Sequence, residues 1–218
     1  KIPHGSGNVK QISDYCVDFA KQHGLKYRQD KSLNVIIWKD GTSGYENSPA
    51  VILQGHIDMV AVKEEDCIKD MEKEGLDLEI QDGYLSAKQT SLGGDDGIAV
   101  AYSLALLAST DIPHPPLEAV FTVDEEIGML GAAAIDRSDL NGKIMLNMDS
   151  EDEGIFLAGC AGGASVRCDI PVTKGTETGV RRTLTLKGFT GGHSGTEIIC
   201  QRANTNVLML SLIHISEP

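Results

Sequence analysis

The order of hydrophobic and polar positions predicts helices that alternate with strands over the first 150 residues of the chain. Hydrophobic residues recur at helical spacing over residues 7–24, and Gly24 suits the end of that helix. Residues 96–109 form a second helical pattern that is apolar on nearly all sides, which predicts a deeply buried helix. A third helix is expected to begin within residues 128–134.

Short apolar runs between these helices predict strands, and their continuous character is typical of strands covered on both faces. A hairpin is expected at residues 78–85, with its turn at Asp82 and Gly83. The alternation of strands and helices indicates an α/β fold, a three-layer α/β/α sandwich with a mostly parallel central sheet. The other expected strands lie at residues 34–39, 50–54, 117–123 and 143–149.

The pattern changes after residue 155. Residues 164–172 and 182–187 alternate as strands do, and a Gly- and Thr-rich link at residues 174–179 separates them. Residues 204–212 begin like an apolar helix. The last eight residues, SLIHISEP, complete no element, which favours an interrupted reading frame or a sequence scar at residues 211–218.

Composition and charge exclude several classes of partner. The chain has 19 basic and 32 acidic residues and a net charge of −13, which argues against nucleic acids and anionic membranes. The longest apolar stretch, near residues 98–108, is too short to span a bilayer. The five cysteines form no C-x-x-C pair, and their odd number fits a reduced, cytoplasmic protein.

Acidic residues and one histidine follow the ends of the predicted strands or lie in a Gly-rich turn. Each of them alone has an ordinary explanation as a helix cap, a solvated acid or a satisfied histidine. Together they are expected to meet at one edge of the sheet, where a divalent cation such as zinc or manganese would offset their repulsion. These residues are His56 and Asp58, Asp95 and Asp96, residues 124–126, and Asp149.

Six stretches, in the same order along the chain, resemble a known family. They are GHIDMV, TSLGGDDGIAVAYSLALL, PLEAVFTVDEEIGMLGA, NMDSEDEG, GCAGG and LTLKGFTGGHSG. The chain resembles the dinuclear zinc peptidases, which include aminoacyl-histidine dipeptidases, carnosinases, tripeptidase T, carboxypeptidase G and the deacylases of arginine and lysine biosynthesis. Within this family, the combination of LGGDDG, DSEDEG, GCAGG and GGHSG is most similar to the aminoacyl-histidine dipeptidases.

The resemblance implies a site with two zinc ions, although cobalt or manganese would also suit these ligands. In this site His56 and Asp149 bind one metal and Glu126 binds the other. Asp95 bridges the two metals, and Asp58 orients the imidazole of His56.

The resemblance also implies the residues that act on the substrate. Glu125 is the general base, and His193 contacts the substrate carboxylate or the developing oxyanion. The peptide bond between Asp95 and Asp96 is expected to be cis. The last metal ligand of the family is a histidine that comes late in a longer chain, and His214 is not assigned to this role.

The implied function is hydrolysis of dipeptides, of the Xaa-His type and more broadly, by a metal-activated water. Two alternatives stay open: an N-acyl amino-acid deacylase of the same fold, and an inactive fragment that lacks the last metal ligand. Residues 1–176 are expected to form the first segment of the catalytic domain. Residues 177–218 would begin an inserted α+β lid domain, through which the longer protein would form a homodimer.

Overall fold

The structure is a computed structural model of the 218-residue chain. It describes residues 1–150, 153–160, 162, 164, 166–176, 178–192 and 197–216. The described residues group into two compact units, of which the first ends at Leu157 and the second begins at Ala158. This division comes earlier in the chain than the expected boundary between catalytic and lid segments, and that functional boundary stays a prediction.

The described residues of the first unit contain every helix and strand that the sequence predicts up to residue 149, with small shifts in their bounds. The helices are α1 (Lys10–Gln22), α2 (Gly94–Ala108) and α3 (Leu130–Ala134). The strands are β1 (Lys26–Gln29), β2 (Val35–Lys39), β3 (Val51–His56), β4 (Leu78–Gln81), β5 (Tyr84–Ala87), β6 (Leu117–Thr122) and β7 (Ile144–Asn147). Strand β1 is an addition, because no pattern in the sequence predicts it.

Five strands form the central sheet in the order β1-β2-β6-β3-β7. Strand β3 pairs in parallel with β6 and with β7, whereas β2 is antiparallel to both of its neighbours. Four of the five strands therefore run in one direction, which confirms the α/β fold with a sheet that is mixed at the β1–β2 side. Strands β4 and β5 form the expected separate hairpin, and both turn residues have positive φ, 52° at Asp82 and 84° at Gly83.

The register of the parallel strands brings their carboxyl ends to one edge of the sheet. His56 at the end of β3 pairs with Thr122 at the end of β6, and Gln54 pairs with Asn147 at the end of β7. The segments that follow these three strands therefore start side by side. They contain Asp58, residues 124–126 and Asp149, whereas Asp95 and Asp96 lie in the first turn of α2.

Helices α1 and α2 pack on one face of the sheet and share its hydrophobic core. In α2 the packed side includes Val100 and Leu107, which are buried. Ile98 and Tyr102 on the same helix are 51% and 59% exposed, so the prediction of a helix buried on all sides is wrong. The helix lies in an outer layer, where only one side can contact the sheet. The buried core residues are Val9, Cys16, Val17, Ala20, Val35, Ile37, Ile57, Val100, Leu107, Ala119, Phe121 and Val123.

The segment that contains α3 covers the opposite face of the sheet. Glu118 of β6, which is 2% exposed, accepts hydrogen bonds from the backbone N–H groups of Asn141 and Gly142, both at 2.9 Å. The side-chain amide of Asn34 donates to the carbonyl oxygen of Gly131 at 3.0 Å. Buried polar groups of the sheet are thus satisfied by this covering segment.

The second unit has little regular structure among its described residues. They form one 3-10 turn (Ile198–Cys200) and helix α4 (Thr205–Ser216), which continues past the end expected near residue 212. The strands predicted at 164–172 and 182–187 are wrong for the residues described there. Alternation alone does not form a strand, because a strand also needs a partner for its backbone hydrogen bonds. Among the described residues, no helix is long and apolar enough to cross a membrane.

Candidate metal centre

His56 lies at the end of β3 and is 1% exposed. Its Nε2 atom is 2.9 Å from Oδ1 of Asp95. Its Nδ1 atom is 3.0 Å from the backbone carbonyl oxygen of Asp58 and 3.4 Å from Oδ1 of the same residue. With Nδ1 facing Asp58, Nε2 faces the acids at the edge of the sheet, and the orienting role of Asp58 stays a prediction.

The buried carboxylate of Asp58 connects three parts of the chain. It accepts hydrogen bonds from the backbone N–H of Glu125 at 3.0 Å, from that of Glu126 at 3.4 Å and from the hydroxyl of Ser6 at 2.8 Å. Burial opposes ionisation, but the hydrogen bonds from His56, from the backbone N–H of Glu125 and from Ser6 outweigh it and hold the pKa of Asp58 at about 2. Asp58 is therefore ionised at neutral pH.

The same contacts change the protonation of His56. Burial by itself would lower the pKa of the imidazole, but hydrogen bonds to Asp58 and Asp95 and the charges of Asp58 and Asp96 raise it to about 10. Without a metal, His56 is thus protonated and supplies a positive charge in the middle of the acids. A divalent cation that binds Nε2 would displace this proton.

Two overlapping groups of side chains could hold a metal ion. The ligand atoms of His56, Asp95 and Asp149 lie within 4.8 Å of one another, and so do those of His56, Glu125 and Glu126. From Nε2 of His56, the distances are 3.9 Å to Oδ2 of Asp149 and 4.0 Å to Oε2 of Glu125. Because Nδ1 faces Asp58, the imidazole has one nitrogen for a metal, so it can complete only one of the two groups.

The two glutamates of this cluster, Glu125 and Glu126, both have raised pKa values. Burial raises the pKa of Glu125, and the charge of Asp149 raises it further although His56 opposes the increase. Burial raises the pKa of Glu126 in the same way, with the charge of Asp95 adding to it. Neighbouring negative charges thus disfavour ionisation here, and a divalent cation would relieve this repulsion.

Helix α2 brings its first turn against the end of β3. The peptide bond between Asp95 and Asp96 is cis, as the resemblance implies. Asp96 is 1% exposed, and its Oδ2 accepts a hydrogen bond from the backbone N–H of His56 at 3.3 Å. Burial, followed by the charge of Asp149, raises the pKa of Asp96 to about 7. Asp96 is one of the acids expected at this edge, and its hydrogen bond connects the first turn of α2 to the end of β3.

Gly55 makes this close approach possible. A Cβ atom at residue 55 would lie 2.6 Å from Cβ of Ala99 and 2.8 Å from Oδ2 of Asp96. We expect Gly55→Ala to lower the free energy of unfolding by about 1–3 kcal/mol, because such overpacking forces the helix away from the strand. Urea denaturation followed by circular dichroism would measure this loss.

Gly97→Ala is the matched control, since a Cβ atom at residue 97 of the same helix would meet nothing within 4 Å. This change is expected to leave stability equal or to raise it by up to about 1 kcal/mol, the difference in helix propensity. If Gly55→Ala were as stable as Gly97→Ala, the close packing of α2 on β3 would be contradicted.

The structure brings together His56, Asp58, Asp95, Glu125, Glu126 and Asp149, whereas His193 lies outside the described residues. Sequence reasoning missed Ser6, and it placed Asp96 in the cluster without an individual role. The one signal for Ser6 was its position between Gly5 and Gly7. A Gly-Ser-Gly sequence is common in turns and does not by itself indicate a functional residue. Beside the cluster is a cleft of about 810 Å³, whose lining includes Ser6, Met59, Ile68 and Glu126.

No family model matches the chain. Comparison with known proteins finds two relatives, one of which aligns with nearly the whole chain. The chain is 39% identical over 217 residues to "Cytosol non-specific dipeptidase" of Escherichia coli (strain K12), covering 97% of this chain and 44% of the relative. An uncharacterised protein of Bacillus subtilis, YqjE, is 26% identical over 166 residues, which are 74% of this chain and 41% of that protein.

Solved structures agree in fold. An aminoacylhistidine dipeptidase from Vibrio alginolyticus has a TM-score of 0.68 at 44% identity, over 70% of this chain and 31% of that one. A tripeptidase from Staphylococcus aureus has a TM-score of 0.58 at 23% identity, over 69% of this chain and 40% of the other, and supports the fold alone.

The chain spans less than half the length of the dipeptidases that it matches. The match nevertheless extends over 97% of the chain and includes the segments that form the acidic cluster. By sequence and by fold, this chain is similar to the cytosol non-specific and aminoacylhistidine dipeptidases, over less than half of their length.

Proposed function

We propose that this chain carries a metal-binding part of the active site of a dipeptidase. The observation that carries the proposal is the convergence of His56, Asp95 and Asp149, and of His56, Glu125 and Glu126, within 4.8 Å at the carboxyl ends of parallel strands. Two relatives are named as dipeptidases, and the chain is about 40% identical to each. Peptide bonds of dipeptides are therefore the proposed substrate.

The donor set fits zinc. One imidazole nitrogen with several carboxylate oxygens is a common ligand set for zinc, and cobalt or manganese could replace it. His56 and Asp149 would hold one ion, Glu126 the other, and Asp95 would bridge them. The raised pKa values of Glu125 and Glu126 support a cation at this position. A second ion would need further ligands, because His56 can complete only one group.

The residues of the chain divide the chemistry among them. When bound, the metals lower the pKa of a water and polarise the carbonyl group of the substrate. Glu125 accepts the proton of that water and later returns it to the amine that leaves. The pKa of Glu125 is raised towards neutral pH, which suits a group that must both accept and donate a proton. Asp58 holds His56 and the backbone of Glu125 in place.

The remaining expectations concern the longer protein. His193 would contact the carboxylate of the dipeptide or the oxyanion, and the segment from residue 177 would begin the lid through which two copies form a homodimer. A cytoplasmic location is supported by the name of the E. coli relative and by the cysteine content. The acidic charge of −13 supports the proposal that nucleic acids and membranes are not partners.

Hydrolysis of N-acyl amino acids is the alternative enzymatic function, since the same water and base would cleave either amide bond. The names of the relatives favour dipeptides.

The test is a substrate panel on the longest natural form of the protein that carries this chain. We expect hydrolysis of dipeptides, including Xaa-His, loss of activity on removal of metal by a chelator, and recovery with zinc. Hydrolysis of N-acetyl or N-succinyl amino acids in place of dipeptides would favour the deacylase. Full activity after complete metal removal would contradict the proposed metal centre.

A further inference from the structure

The segment that precedes α1 lies against the turn that follows β3. The backbone N–H of Ser6 donates to the carbonyl oxygen of Met59 at 3.2 Å, and that of Met59 donates to the carbonyl oxygen of His4 at 3.1 Å. Gly5 sits at the centre of this parallel bridge. A Cβ atom at residue 5 would lie 2.7 Å from Cβ of Ala61, so the two segments are in direct contact.

Two hydrogen bonds connect this segment to the loops that follow β3 and β6. The hydroxyl of Ser6 donates to Oδ2 of Asp58, in the loop after β3, at 2.8 Å. The backbone N–H of Gly7 donates to Oδ1 of Asp124, in the loop after β6, at 2.7 Å. The segment thus joins the loop that orients His56 to the loop that presents Glu125.

The hydroxyl of Ser6 has a second acceptor within reach, the carbonyl oxygen of Met59 at 3.4 Å. A hydroxyl has one hydrogen to donate, and a bond to a carboxylate is shorter and stronger than one to a neutral carbonyl oxygen. The distances agree with donation to Asp58. This bond fixes one carboxylate oxygen, while Oδ1 faces His56 and the N–H of Glu125.

We propose that Ser6 is a positioning residue of the metal centre. By holding Oδ2 of Asp58, it sets the rotation of the carboxylate that orients His56 and the backbone of Glu125. Loss of the hydroxyl leaves Oδ2 with only the longer bond from the backbone N–H of Glu126 at 3.4 Å, so the carboxylate that contacts both loops is held less firmly. The inference rests on the proposed metal centre, but it assigns a function to a residue outside the ligand set.

The experiment compares metal binding in four metal-free forms of the longest natural protein that carries this chain: unaltered, Ser6→Ala, Ser6→Thr and Ser91→Ala. Co²⁺ is titrated into each, and the visible absorption bands give both the dissociation constant and the coordination geometry. Ser91 is the matched control, because its hydroxyl donates to the carbonyl oxygen of Val60 at 2.6 Å in the same region without contacting Asp58.

We expect Ser6→Ala to weaken Co²⁺ binding about 10- to 100-fold and to change the shape of the bands, as loss of an outer hydrogen-bond partner of a metal ligand does. Ser6→Thr keeps a hydroxyl and is expected to restore both, and Ser91→Ala is expected to change neither. Circular dichroism measures the folded fraction of each variant. The dissociation constant is then calculated for the concentration of folded protein only.

Co²⁺ binding by Ser6→Ala with unchanged affinity and spectrum would overturn the role of Ser6 and leave the metal centre intact. Equal weakening in Ser6→Ala, Ser6→Thr and Ser91→Ala would also overturn it, because a general packing defect would then be the cause. If the unaltered protein bound no Co²⁺, the proposed metal centre itself would fail.

Discussion

Replacement of Glu125 by glutamine is expected to lower kcat for dipeptide hydrolysis by about 10²- to 10⁴-fold while the metal stays bound. Glutamine has almost the same shape but cannot accept a proton at neutral pH. The backbone bond to Asp58 at 3.0 Å holds the side chain beside the cluster and is unaffected by the change. Steady-state kinetics together with metal analysis of the same sample would measure both quantities.

Two further variants separate a base from a ligand. Glu65→Gln removes an exposed carboxylate outside the cluster and is expected to keep both activity and metal. Glu126→Gln is expected to lower the metal content, because Glu126 is proposed as a ligand. Full activity in Glu125→Gln would show that another group accepts the proton, and loss of metal there would make Glu125 a ligand.

Replacement of His56 by alanine is expected to have the second large effect, the loss of metal binding together with a loss of stability. Both candidate ligand groups contain His56. Loss of a residue that only hydrogen-bonds to a ligand weakens metal binding by up to roughly 100-fold, and we expect loss of His56 itself to weaken it more. In the metal-free chain His56 and Asp58 are a buried ion pair, each about 1% exposed. Removal of one partner leaves the other charge buried, which costs about 3–5 kcal/mol.

Co²⁺ titration and urea denaturation of the metal-free protein would measure the two effects of His56→Ala. The control is His23→Ala, which removes an exposed imidazole at the end of α1 and is expected to change metal affinity little. Metal binding as strong in His56→Ala as in the control would exclude His56 from the ligand set. Unchanged stability would mean that the buried pair is not charged.

The strands and helices up to residue 149 could be predicted because each has a strong local pattern. Apolar runs mark β2, β3 and β6, and the Asp82-Gly83 turn marks the β4–β5 hairpin. Strand β1 could not be predicted, because its residues are polar and partly exposed and it is held by pairing with β2. The strands expected after residue 164 show the opposite error, a local pattern without a partner.

The cluster could be predicted as a group from a general property of α/β sheets. Acids that follow parallel strands meet at the carboxyl edge, so the identity of His56, Asp58, Glu125, Glu126 and Asp149 required only strand positions. Their individual roles came from the resemblance and stay predictions, to be decided by the variants described above.

The sequence by itself therefore determined the fold class, the resemblance to the dipeptidases and most of the residues that gather at one edge of the sheet, since these depend on local patterns and motif order. Tertiary structure decided what the local pattern does not contain: which side of α2 is exposed, the burial of Asp96 against Gly55, and the contact of Ser6 with Asp58. The bond from Ser6 joins residues 52 positions apart. Such contacts depend on how close the folded chain brings two backbones, and no periodicity in the sequence records that distance.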